Sequence, residues 1–143
     1  MRLAVALISC LIVFPVMAAS ALYIERAIDF RGPIEVSETD KNGIRIDRLR
    51  FHLPATVGGA NSRVGGEVVV DISISNTREE SSRVGLAVAL FGEKGELLAA
   101  ATGGSRIRGL KAGHARTYRL VFDDVNDRAY LAKRFRLTVE SRR

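Results

Sequence analysis

The fold is decided by residues 68 to 101, VVVDISISNTREESSRVGLAVALFGEKGELLAAA. Val68, Val70, Ile72 and Ile74 point one way while Glu67, Asp71, Ser73 and Ser75 point the other, the period-two pattern of a strand with one buried face. NTREESS, residues 76 to 82, turns the chain, and Val84, Leu86, Val88 and Leu90 repeat the pattern. Gly92-Glu93-Lys94-Gly95 makes a tight turn, after which Leu97, Ala99 and Ala101 continue the buried face in a third strand. The three runs read as a meander whose ends are the two polar turns.

Outward from it, the same alternation recurs. Tyr118, Leu120 and Phe122 follow the turn at Leu110 to Gly113, and Phe135, Leu137 and Val139 form the last strand. Upstream, Tyr23 to Phe30 reads as a first strand and SETDKNG, residues 37 to 43, as a turn cluster. In IRIDRLRFHLP the apolar parity is even at Ile44 and Ile46 but odd at Leu49, Phe51 and Leu53, so a bulge or a break is expected at Asp47-Arg48. Pro54 to Gly66 reads as a loop, and Asp123 to Lys133 as a polar connection with one short helical turn capped by Asn126 or Asp127. These signals predict an all-β chain: an immunoglobulin-like antiparallel β-sandwich of about seven strands, preceded by an N-terminal signal peptide or apolar helix.

The chain has 143 residues and a formal charge of +6, which suits one domain that needs no metal or disulfide to hold a core. Its one cysteine, Cys10, lies in the leader-like start MRLAVALISCLIVFPVMAASALYI. Arg2, the apolar run to Phe14 and the small residues after Pro15 have the layout of a secretory signal peptide. The expected division is a signal peptide over residues 1–21, cut after residue 18 to 21, and a single sandwich domain over 22–143. Leu3 to Ile24 is also long enough to cross a bilayer uncleaved, so anchoring in the inner membrane is the alternative. Either way the expected location is exported, periplasmic or extracellular, and a cysteine-free exported domain suits a bacterial envelope.

Val88 to Leu98, VALFGEKGELL, resembles the bacterial immunoglobulin-like domains named FxLYD, in which a strand ending in that signature enters a turn closed by glycine. Leu90 and Gly95 match, while Val88, Phe91 and Gly92 stand where the signature has Phe, Tyr and Asp. SNT at 75–77 and LKAGHARTYRLVF at 110–122 are similar to the family's turn motifs, so the resemblance spans residues 67–140. It implies an extracytoplasmic binding or accessory module and carries no catalytic residue.

The residues argue the same way against an enzyme. The two histidines, His52 and His114, sit in no nucleophile motif and make a poor zinc site, since tetrahedral zinc takes three or four clustered nitrogen or sulfur donors. Asp123, Asp124, Asn126 and Asp127 lack the spacing and terminal glutamate of a calcium loop. No catalytic, cofactor-binding or metal-binding residue is expected, and no cofactor. A small hydrolase or inhibitor assembled from loops is the enzyme-class alternative, and it lacks a constellation.

The basic residues are the positive signal, with 18 Arg against 4 Lys. Arg48 and Arg50 share a strand face with His52, Arg134 and Arg136 share another, and Arg106 and Arg108 flank Ile107. If those strands are neighbours, the six arginines form a stripe suited to bidentate binding of phosphate or carboxylate. The leading expectation is a non-enzymatic envelope module acting on a protein partner through a sheet edge, with Leu98 to Ala101 the least charged candidate. The alternative is a binder of anionic envelope glycan or lipid headgroups through the arginine face. Nucleic acid is disfavoured, because exposed aromatics for base stacking are missing, and membrane contact is expected if the leader is uncleaved.

Overall fold

The computed structural model describes residues 20–53, 67–105, 108–123 and 131–142. Eight strands run in the order β1 (Ser20–Ala27), β2 (Ile34–Thr39), β3 (Ile44–His52), β4 (Val68–Asn76), β5 (Arg83–Phe91), β6 (Leu97–Gly104), β7 (Ala115–Phe122) and β8 (Arg134–Arg142). They form two four-stranded antiparallel sheets, β1-β8-β5-β6 and β2-β3-β4-β7, packed as a sandwich. The expected loop at 54–66 and the capped turn at 124–130 lie outside the described residues.

The alternation in the sequence becomes the core directly. Val68, Val70, Ile72 and Ile74 from one sheet face Val84, Leu86, Val88, Leu90, Phe135, Leu137 and Val139 from the other, all buried. Full burial of each such aliphatic side chain contributes about 1.5–3 kcal/mol. Phe51 on β3 meets Phe135 on β8 with ring centroids 5.4 Å apart, and Phe30 packs edge-on to Phe51 at 6.1 Å. The phase change in β3 is a bulge: Ile46 pairs with Ile74 but Arg48 with Ser73, so Asp47 is the extra residue.

Four expectations need correction. Residues 68–101 are not one meander: β4 pairs with β3 and β7 while β5 and β6 belong to the other sheet, so the turn at 77–82 crosses between sheets and only β5–β6 is a hairpin. There are eight strands rather than seven, because Ser37, Glu38 and Thr39 belong to β2 and the turn is confined to Asp40–Gly43. β2 hides from a periodicity test because it is a charged edge strand, irregular at Ser37 (φ +56°), with a register shift between Glu35 and Glu38. The first strand stops at Ala27 rather than Phe30 and begins at Ser20, inside the expected leader. Leu97 is exposed rather than inward, because a register shift between Leu90 and Phe91 rotates the start of β6 while Ala99 and Ala101 remain buried.

One end of the sandwich is closed by a polar clasp. Asp40 accepts hydrogen bonds from the backbone N–H groups of Asn42 and Ile44, both at 2.8 Å, and from the Ser141 hydroxyl. Asn42 donates to the Ser141 carbonyl and hydroxyl at 3.1 and 3.0 Å. These buried groups tie the β2–β3 turn of one sheet to the end of β8 in the other. Beside them, the Asn76 amide donates to the carbonyls of Glu80 and Leu110, fixing the neighbouring turns.

Candidate functional site

The outer faces and the edges of the sandwich are where a ligand or partner can act. On the outer face of β2-β3-β4-β7, the bulge in β3 turns Asp47 and Arg48 outward together, and Arg50 and His52 follow on the same face. Arg48 sits beside Ser73 and Arg50 beside Asp71 on β4, with Thr117 and Arg119 next on β7. The face holds a shallow depression of about 290 Å³ lined by Pro33, Arg48, Arg50, His52, Asp71, Ser73 and Thr117.

Its electrostatics are uneven. Asp71 is held by Arg119 through two bonds, Nε to Oδ1 at 2.8 Å and Nη2 to Oδ2 at 3.0 Å. His52 Nε2 lies 3.0 Å from Oδ2 of the same carboxylate. The Arg119 bond, with a smaller contribution from His52, keeps the Asp71 carboxyl below the usual aspartate range despite partial desolvation, and Asp71 raises the Arg119 guanidinium in turn. Among the described residues the side chains of Arg48 and Arg50 make no ion pair or hydrogen bond, although Glu35 on β2 stands in register with Arg48 and Asp71 on β4 with Arg50. The hydroxyls of Ser73 and Thr117, 3.2 Å apart, lie between the two strands.

The other expected arginines are elsewhere. Arg134 and Arg136 are on β8 in the opposite sheet, so they face away from Arg48 and Arg50 and the six do not form one stripe. Both are engaged by Glu25 on β1: Arg134 Nη1 to Oε1 at 2.9 Å, and Arg136 through Nε and Nη2 to Oε2 at 3.1 and 2.8 Å. The Arg136 bond draws the Glu25 carboxyl down, and the Arg136 guanidinium also lies 5.3 Å from the Phe91 ring centroid. Arg108 is exposed near the end of the sandwich, and Arg106 lies outside the described residues. His114 Nδ1 is within 2.8 Å of the Ala112 carbonyl, in a turn. No group of three or more His, Cys, Asp or Glu among the described residues is placed to hold a metal.

Sequence reasoning named Leu98 to Ala101 but did not reveal what surrounds it. Four strands lie at sheet edges: β1, β2, β6 and β7. β1 carries Glu25 and Arg26, β2 Glu35 and Glu38, and β7 Arg116 and Arg119, whereas β6, LLAAATGG, has no charged residue and no proline. Arg26 also reaches across to the Glu35 carbonyl at 2.9 Å and to Glu38 Oε1 at 2.8 Å, stitching the β1 and β2 edges together. Charged side chains are the usual protection of an edge, and β6 lacks them.

The free groups of β6 can be placed. Ser105 donates its backbone N–H to the Val84 carbonyl at 2.8 Å, which makes Gly85 and Gly104 a non-hydrogen-bonded pair. The alternation of an antiparallel ladder then turns the N–H and C=O groups of Ala100 and Thr102 away from β5, toward the open side. The outer face beside this edge carries short side chains, with Gly85, Ala87 and Ala89 on β5 next to Ala100 and Thr102 on β6, and it dips into a shallow depression of about 210 Å³ at Gly85, Ala87 and Gly103. No helix among the described residues is long and apolar enough to cross a membrane. Compared with protein-family models, curated proteins and solved structures, the chain has no match.

Proposed function

We propose that the chain is an exported, non-enzymatic binding or accessory module of a bacterial envelope that takes up an extended segment of a partner protein along β6. The observation that carries this reading is that β6 alone among the four edge strands has no charged side chain. Backbone pairing supplies affinity in such an arrangement, and the Gly/Ala surface of β5 and β6 leaves room for the partner's side chains. The immunoglobulin-like assignment and the FxLYD resemblance belong to the same proposal; they are supported by the β-sandwich and by the turn at Gly92–Gly95, where Gly92 N–H donates to the Glu96 carbonyl at 2.9 Å. Export is supported by the leader-like residues 1–21, and a cut after Ala18 or Ala19 leaves β1 whole.

The test is an in-cell crosslink and pull-down of the tagged full-length chain, washed at rising salt and repeated with Ala100→Pro. Proline at Ala100 removes an outward N–H without touching the β5 ladder, whereas Ala99 is buried and faces Leu90 within that ladder. A discrete protein that survives salt in the parent and is lost in Ala100→Pro is the expected result. Retention of that protein by a folded Ala100→Pro chain rules the edge out.

A second reading rests on the unpartnered guanidiniums of Arg48 and Arg50. In it, the depression between β3 and β4 binds an anionic group of an envelope glycan or lipid, with the Ser73 and Thr117 hydroxyls in reach. Binding of a polyanion such as heparin should then weaken as salt rises and vanish in the Arg48→Glu/Arg50→Glu double variant. Arg134→Glu/Arg136→Glu should instead disturb the Glu25 contacts and leave that binding in place.

A further inference from the structure

Among the described residues, charge is unevenly spread along the strand direction. Strands β1, β3, β5 and β7 start, and β2, β4, β6 and β8 finish, at the end that holds the Asp40–Gly43 turn. At that end Lys41, Arg78, Arg83, Arg108, Lys111 and Arg142 are exposed, against the exposed carboxylates of Glu79, Glu80 and Glu140. Among the described residues at the opposite end, the exposed Asp29, Glu67, Glu93, Glu96 and Asp123 stand against Arg31, Lys94, Lys133 and Arg134, the last of them engaged by Glu25.

Within the basic end, Arg83 and Arg142 stand directly opposite each other on β5 and β8. Like charges in direct cross-strand register repel and destabilise a sheet, so an external anion would relieve this pair. Glu140 approaches Arg142 only to 3.7 Å. The Ser82–Leu110 bridge draws the segment bearing Arg108 and Lys111 alongside Arg83. The chain also enters the sandwich at this end: β1 starts at Ser20, opposite Ser141, and residues 3–19 before it carry no charge.

We infer that the basic end of the sandwich is a docking surface for an anionic phospholipid bilayer, with the strands standing away from the membrane plane and β6 reachable from the side. Each Lys or Arg brought close to an anionic leaflet adds to the attraction, so the exposed cluster carries the docking by itself; in the form that retains residues 1–19 their uncharged run adds a tether. This surface is separate from the β6 edge and from the Arg48 depression, and it stands or falls independently of both.

The four lysines of the chain form a built-in ruler, since Lys41 and Lys111 are at the basic end and Lys94 and Lys133 at the other. The full chain is reconstituted with phosphatidylglycerol vesicles or with phosphatidylcholine vesicles and treated with a membrane-impermeant amine reagent; labelling at each lysine is read by mass spectrometry. The expected result is protection of Lys41 and Lys111 relative to Lys94 and Lys133 on phosphatidylglycerol by about fivefold or more. The protection should disappear on phosphatidylcholine and in about 1 M salt, where the screening length falls to about 3 Å. Arg83→Gln/Arg142→Gln should reduce it without changing the far lysines. Equal labelling of the two pairs on phosphatidylglycerol overturns the proposal, and so does protection of the same size on both lipids, which would reflect tethering alone.

Discussion

Asp71 shows how one residue can organise a face. Arg119 and His52 both converge on it, and Arg50, directly opposite on β3, makes no ion pair with it. Because the Arg119 bond lowers the folded-state carboxyl below the ordinary value of about 3.9, the unfolded chain binds more protons in the acid range. The stability that Asp71 contributes is therefore fully present above that ordinary value and is lost as pH falls through the lower folded one. Thermal melts of Asp71→Asn should show a shallower fall of Tm between about pH 4 and pH 2 than the parent. Tyr118 carries the opposite kind of strain. Its hydroxyl is the one buried side-chain polar atom among the described residues without a hydrogen bond, and burial pushes its pKa up. Tyr118→Phe is expected to raise stability by about 1 kcal/mol in a urea titration. Gly104 has φ +135°, and a Cβ there would lie 2.1 Å from the Val84 carbonyl oxygen. Gly104→Ala should lower the urea midpoint by the equivalent of about 2 kcal/mol or more.

Among the elements, the Asp40 turn binds the two sheets to each other. Asp40→Ala would strand the N–H groups of Asn42 and Ile44 and the Ser141 hydroxyl. A loss of about 3 kcal/mol is expected, read as a shifted guanidinium midpoint with an unchanged slope. The strands that bury one face were legible in the sequence, because β4, β5 and β8 alternate strictly and β7 does so from Tyr118 onward; the bulge in β3 was legible as a parity change at Asp47-Arg48. β2 was not, since an edge strand with Glu35, Ser37, Glu38 and Thr39 differs little in composition from a turn. The candidate surfaces were legible in part. Parity says that Arg50 and Arg136 point outward, but only strand order says that they point outward from different sheets. The low charge of β6 could be read from LLAAATGG; that its neighbour is absent on one side could not, because edge position is a property of the whole topology.

As a whole molecule the sandwich assigns different chemistry to different sides: a polar face with spare guanidiniums, a smooth face of glycine and alanine beside an open edge, a basic end and an acidic end. The shared core makes these sides one cooperative unit. Leu137→Ala at its centre, where Leu137 lies between Ile24 and Val88, should cost about 2–5 kcal/mol and shift the single unfolding transition seen by circular dichroism and by tyrosine fluorescence together.

The pairing of Ser20 with Ser141 also has a mechanical side. The first and last strands are neighbours that start and finish at the same end, so a pull on the two ends of the domain does not shear the β1–β8 ladder. It opens the ladder like a zipper, Ser20 from Ser141 first, then Leu22 from Val139 and Ile24 from Leu137, each step loading only the next few hydrogen bonds. A force borne by the domain's own ends is therefore met a few hydrogen bonds at a time, never by a whole ladder at once.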